Sequence, residues 1–167
     1  MKEIKDLNDL LTHEIQVLYS GEQLLIEGLE RMIKKASHIE LKALLQQHLE
    51  ETRTHIERLN QAADLLGIDA DEEGNPSMKG LIAEGEKVIH KDANAEVQDA
   101  SLICGAQKVE HYEIAGYGTA TYYAEMLGQA HVASLLRQTL EEEKATDTKL
   151  NNLAKNKINL RAQHADI

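Results

Sequence analysis

The sequence predicts an all-α protein, an antiparallel four-helix bundle in which one long crossover joins two helical hairpins. Three observations predict it. Leu, Ile, Ala, Glu, Lys and Gln dominate the 167 residues, with a single proline, Pro76, and few β-branched residues, a composition that favours helix throughout. Apolar residues recur every three to four positions through four long segments, the spacing of amphipathic helices. The breaks between those segments run short, long, short.

The first helix spans about 3–35, on the stripe Leu7, Leu11, Ile15, Leu18, Leu25, Leu29 and Met32. Ser37 followed by Glu40 resembles a capping box, and opens a second helix over about 38–66. Its stripe is Leu41, Leu44, Leu45, Leu49, Ile56, Leu59, Ala63 and Leu66, closed by Gly67. With so short a join, the two fold back as a hairpin. An acidic Gly/Pro turn, Asp69 to Pro76, precedes a shorter periodic stretch from Met78 to Ile89, a small helix over about 77–90 carried by the crossover. Asp92 or Asn94 can cap a helix over about 95–127, which Gly128 ends, and a fourth helix follows over about 130–156 before a frayed tail. This is the connectivity of a ferritin-like bundle with one long connection. Two hairpins that meet only in a dimer would have the same local pattern.

The length suits one domain, 1–167, with a core of its own. That core must be aliphatic, because Phe and Trp are absent and all aromatic character is tyrosine. The net charge of −11 disfavours nucleic acid, which is bound through Lys and Arg, and favours cations as partners. A single cysteine, Cys104, precludes an intrachain disulfide and is most simply a small buried residue. The charged start MKEIKDLNDL lacks the apolar core of a signal peptide, and no apolar run is long enough for a bilayer. A cytoplasmic protein with no membrane association is expected.

Against this pattern, four carboxylates lie on or beside the apolar stripes. Each would cost several kcal/mol in a dry core unless paired, protonated or metal-bound. At about 100° per residue, Glu22 falls in the middle of the first stripe, and Glu143 falls on the line of Val132, Leu136, Leu150 and Ala154 with Asp147 one turn along. Glu110 shares a face with Ile103, Ile114 and Tyr117, and Glu113 lies one turn further, nearer the edge. On the second helix His48 and His55 are central and Glu51, between them, is offset.

Height gives an independent test. Glu22 and Glu51 are symmetric about the turn near Ser37; Glu110 and Asp147, or Glu113 and Glu143, are symmetric about Gly128. At about 1.5 Å rise per residue, the acids of each hairpin fall within roughly one turn of a common mid-bundle layer. Carboxylates and imidazoles pooled at one level suit divalent iron or manganese. The expected metal ligands are Glu22, Glu51, His55, Glu110, Glu113, Glu143 and Asp147. His48 is expected to support a ligand rather than bind, and Tyr19, one turn before Glu22, to hydrogen-bond a ligand, gate electrons or fill the core. His111 points off the Glu110 face, and Glu141, Glu142 and the EEGN turn read as solvated surface.

Five stretches, HEIQVLYSGEQLL (13–25), HLEETRTHIERL (48–59), MKGLIAEGE (78–86), QKVEHYEIAGYGT (107–119) and LEEEKATDTKL (140–150), are together similar to the ferritin-like YciE/YciF bacterial stress-protein family. The resemblance implies a dimeric, rubrerythrin-like bundle with a di-iron or di-manganese centre and a role in stress responses. Glu22 then resembles the first-helix ligand, and Glu110 with Glu113 the Glu-x-x-Glu of the rubrerythrin third helix. The other ligands depart from the pattern: the second helix offers Glu51-x-x-x-His55 or His48-x-x-Glu51, and the fourth Glu143-x-x-x-Asp147.

The function expected is oxidation of bound Fe(II) by peroxide or O₂ in a homodimer. The alternatives are a non-catalytic stress or interaction bundle whose acids form a buried polar network, and an iron-storage ferritin.

Overall fold

The computed structural model describes residues 3–71, 74–88 and 94–164, and every regular element among them is helical. They are α1 (Leu7–Lys35), α2 (Ile39–Leu66), α3 (Pro76–Val88), α4 (Ala95–Met126), α5 (Ala130–Leu153) and α6 (Asn159–Gln163). Ile89 and Asp92, and Glu72 and Glu73 of the EEGN turn, lie outside the described residues. A π-helical turn over Ala154–Ile158 joins α5 to α6, so the last rod runs on where a frayed tail was expected. No Gly or Pro follows Leu153 to stop it.

Local chemistry sets the ends. Asp6 accepts the Asp9 N–H at the start of α1, and Asn94 accepts the Glu96 N–H at the start of α4. Gly67 and Gly128 take left-handed conformations, φ 67° and 71°, and reverse the chain after α2 and α4. The expected capping box at Ser37 does not form. The N-cap of α2 is His38, without a side-chain cap bond. The buried Asp99 of α4 replaces it, accepting the Ser37 N–H at 2.8 Å, the Ser37 Oγ–H at 2.5 Å and the His38 N–H at 2.9 Å. Glu40, the box's other member, pairs with Lys157.

The four long helices close a ring in the order α1, α2, α5, α4. Neighbours run antiparallel: the end of α1 meets the start of α4 through Ser37 and Asp99, while Tyr117 reaches back to Glu22. Between α2 and α4 in the chain, α3 packs on α1 and α4. Asn75 fastens the start of α3, donating to the Val17 carbonyl of α1 and accepting from the Met78 N–H and the Tyr112 hydroxyl of α4. Gly21 makes room for it, since a Cβ there would stand 2.8 Å from Asn75 Nδ2.

Two apolar blocks fill the interior. One gathers Leu11, Ile15, Leu18, Leu59 and Leu136; the other gathers Leu25, Leu29, Leu41, Leu45, Leu102 and Leu150. A polar layer separates them. No helix among the described residues is long and apolar enough to cross a membrane.

Candidate metal centre

Each wall of the bundle contributes to the layer from its buried line. On α2 that line is His48, Thr52, His55 and Leu59; on α5 it is Thr139, Glu143, Thr146 and Leu150. Glu22 of α1 and Glu110 and Glu113 of α4 complete it. The four carboxyl groups of Glu22, Glu110, Glu113 and Glu143 are 0%, 1%, 1% and 0% exposed.

Two donor trios form, Glu22–His55–Glu143 and His48–Glu113–Glu143, in each of which one ligand atom per residue lies within 4.8 Å of the others. Glu143 belongs to both. His55 Nδ1 stands 3.2 Å from Glu22 Oε1 and 3.0 Å from Glu143 Oε1. His48 Nε2 stands 3.0 Å from Glu110 Oε1 and 3.9 Å from Glu143 Oε2. Short as these approaches are, none has hydrogen-bond geometry. Glu22 Oε2, Glu110 Oε2, both oxygens of Glu113 and of Glu143, His55 Nδ1 and both ring nitrogens of His48 are buried without a hydrogen-bond partner. Native interiors leave few such atoms, and each calls for an explanation. Here they cluster around shared space.

Electrostatics describes the same tension. Burial pushes Glu110 up to about 8, with His48 pulling against it and Glu143 adding to it. Glu113 stands well above the usual carboxylate range, through burial and then through repulsion by Glu22, Glu143 and Glu110. Burial also raises Glu22. Burial alone would lower His55, but Glu22 and Glu143 outweigh it and hold the imidazole at about 10. In this buried layer of four acids and two imidazoles, Glu110, Glu113 and His55 hold their protons in the absence of any other cation, and the layer could hold a metal ion in place of them. Hard carboxylate oxygens with two imidazoles suit divalent iron or manganese, and an ion at each trio could take up several of the unpartnered atoms.

Support comes from outside the trios. Tyr117 donates to Glu22 Oε1 at 2.5 Å, fixing one oxygen and leaving the other free. His55 Nε2 lies 2.9 Å from Glu142 Oε2, and Arg58 grips that carboxylate with bonds of 2.5 and 2.9 Å while reaching Thr139. This orients Nδ1 toward the acids, as outer carboxylates orient metal-binding histidines generally.

The expected residues divide accordingly. Glu22, His55, Glu110, Glu113 and Glu143 come together, and His48, expected as a supporting residue, stands among them. Glu51 lies at the rim, bonded by Gln47, with Oε2 3.7 Å from His48 Nδ1. Asp147 is partly exposed, takes a bond from Gln107 and faces His111 at the surface. Neither belongs to a trio. Tyr19 packs against the first apolar block, the core-filling alternative, and it is Tyr117 that bonds a carboxylate of the layer. Glu142 is no solvated acid, because Arg58 and His55 hold it; the one sequence signal was an arginine three residues beyond a core histidine. Cys104 is exposed, correcting its expected burial.

Over residues 6–163 the chain matches the family described as a domain of unknown function (DUF892). It is 42% identical over 162 residues to the protein YciF of Escherichia coli (strain K12), covering 96% of this chain and 98% of that protein. The crystal structure of the E. coli stress protein YciF is similar to it at a TM-score of 0.88 and 43% identity, over 93% of this chain and 99% of the other. YcfI, a candidate structural protein from Rhodopseudomonas palustris, is similar at 0.86 and 41% identity, over 90% and 96%. With likeness sustained across almost all of both chains, this one belongs to the DUF892 family of YciF-like helical bundles.

Proposed function

We propose that the mid-bundle layer binds two divalent ions, iron or manganese, and that the protein uses them to reduce peroxide or O₂ in stress defence. The observation that carries this is the set of buried, unpartnered oxygens and nitrogens around Glu143. Glu22, His55 and Glu143 would hold one ion, and His48, Glu113 and Glu143 the other, with Glu110 beside His48. Bound there, Fe(II) would supply two one-electron donors, enough with two protons to turn one peroxide into two waters or one O₂ into peroxide.

The chain's own residues do the rest. Tyr117 and the Arg58–Glu142 pair fix Glu22 and His55 before any ion arrives, lowering the cost of organising the site. The apolar blocks on either side keep bulk water from the layer. Glu51 steadies His48 from the rim, and the working unit is a homodimer.

A metal-free reading has one observation in its favour. The approaches of 3.0 to 3.2 Å between His55 and two carboxylates also suit an imidazolium held among acids, a network that fixes helix register.

Anaerobic Fe(II) titration separates the two. Two ions bound per chain, with ferric absorbance growing on addition of peroxide or O₂, are expected. No stoichiometric binding would end the proposal and leave the network.

A further inference from the structure

We infer that dioxygen reaches the layer through an apolar cavity between α1, α3 and α4 that Glu110 helps to line, a route that peroxide does not share. The inference rests on the di-metal reading and assigns this cavity to one of its two oxidants.

The cavity has a volume of about 50 Å³, and Leu25, Leu29, Ile82, Leu102 and Val109 are among its lining residues. Arg31 and Glu86, both about half exposed and paired at 2.9 Å, tie α1 to α3 at its outer rim. Glu110 is also among the lining residues, 1% exposed, with Oε2 unpartnered and Oε1 3.0 Å from His48 Nε2. The same residue therefore lines the cavity and belongs to the donor cluster.

Three glycines, Gly28, Gly85 and Gly105, line this space from helix interiors. Packing does not demand two of them. A Cβ on Gly28 would meet Ile82 at 3.7 Å, and one on Gly105 would meet the Gly85 Cα at 3.9 Å, both ordinary contacts. Alanine is favoured over glycine inside a helix, so the glycines keep space open at a cost to helix stability.

The lining selects the occupant. Apolar cavities stay dry and accept apolar atoms such as xenon, and a water needs two to four polar partners to settle. Hydrogen peroxide would have to shed its hydration and find no replacement along this wall. Dioxygen forms no strong hydrogen bonds and loses nothing.

The test uses xenon as a probe of the metal-free full chain, then both oxidants on the Fe(II)-loaded chain. Crystals under xenon pressure should show the gas in this cavity in the parent and not in Gly28→Ala/Gly105→Ala, a variant whose helices gain from the change. A larger plug, Ala106→Leu, serves as a second variant. In both, Fe(II) oxidation by O₂ should slow several-fold while oxidation by added H₂O₂ keeps the parent rate. Xenon absent from the parent, O₂ oxidation unslowed in the plugged variants, or equal slowing with both oxidants would each overturn the route. A parent that takes up xenon but binds no Fe(II) would instead overturn the site reading, and the route with it.

Discussion

The apolar blocks and the layer between them are built on the same four helices, yet they obey opposite rules. Leu11, Ile15 and Leu59 in one block, and Leu41 and Leu45 in the other, are buried among apolar neighbours at 1% exposure or less. The layer is buried as deeply, but a run of its polar atoms has no partner. Burial in the first region lowers the free energy of the fold, and burial in the second raises it. The blocks hold the helices in register, and part of that stability offsets the cost of the buried polar layer.

Core truncation should break the comparison most strongly. Leu59→Ala removes a fully buried side chain from the first block, and costs about 2–5 kcal/mol. Melting should fall by on the order of 10 °C, with the number of ions bound unchanged. Glu143→Gln should do the reverse. It removes the acid common to both trios, and forfeits the stabilisation that metal confers on the parent, about 2.7 kcal/mol at a hundredfold excess over Kd. Thermal melts with and without Mn(II) read both effects.

A pH series on the metal-free protein should give a smaller effect of several degrees. Glu110, held by burial at about 8 in the folded chain against an ordinary 4.5, keeps a proton that the unfolded chain has released. Its contribution to stability is complete below 4.5 and is lost as pH rises through 8. Glu22 and Glu113 act in the same direction. His55, where Glu22 and Glu143 outweigh burial, contributes below 6.5 and loses its contribution towards 10. Glu51, held at about 2 by His48, acts oppositely but only in acid. Melting temperature should therefore fall from pH 5 to pH 9 without metal. With metal in place of the protons the slope should flatten; an identical slope would mean that the ions bind elsewhere.

The smallest change is expected from Glu142→Gln. It weakens the grip of Arg58 and of the outer nitrogen of His55, and should reduce metal affinity by about tenfold while the layer stays intact. Calorimetric titration measures it.

Most of the fold was legible in one dimension. Apolar spacing gave four long helices and a short one with ends close to those observed, and short and long breaks gave their connection. Glu22, Glu110, Glu113 and Glu143 were legible because each interrupts a stripe of aliphatic residues. Glu51 and Asp147 were harder, since residues three or four apart share a face only approximately. The buried lines through His48–Thr52–His55 and Glu143–Thr146–Leu150 leave them at the rim. Asp99 at the start of α2, and Glu142 with Arg58 behind His55, join helices remote in sequence. Spacing along a single helix does not name such partners, and the placing of Arg58 one turn beyond His55 is the one trace of them it holds.

That the unpartnered atoms of the layer are metal ligands can be checked by anomalous diffraction at the manganese or iron edge, from crystals loaded anaerobically. Two peaks are predicted inside the bundle, one bounded by Glu22, His55 and Glu143 and the other by His48, Glu113 and Glu143. A layer free of anomalous density, with ions only at surface carboxylates, would contradict it.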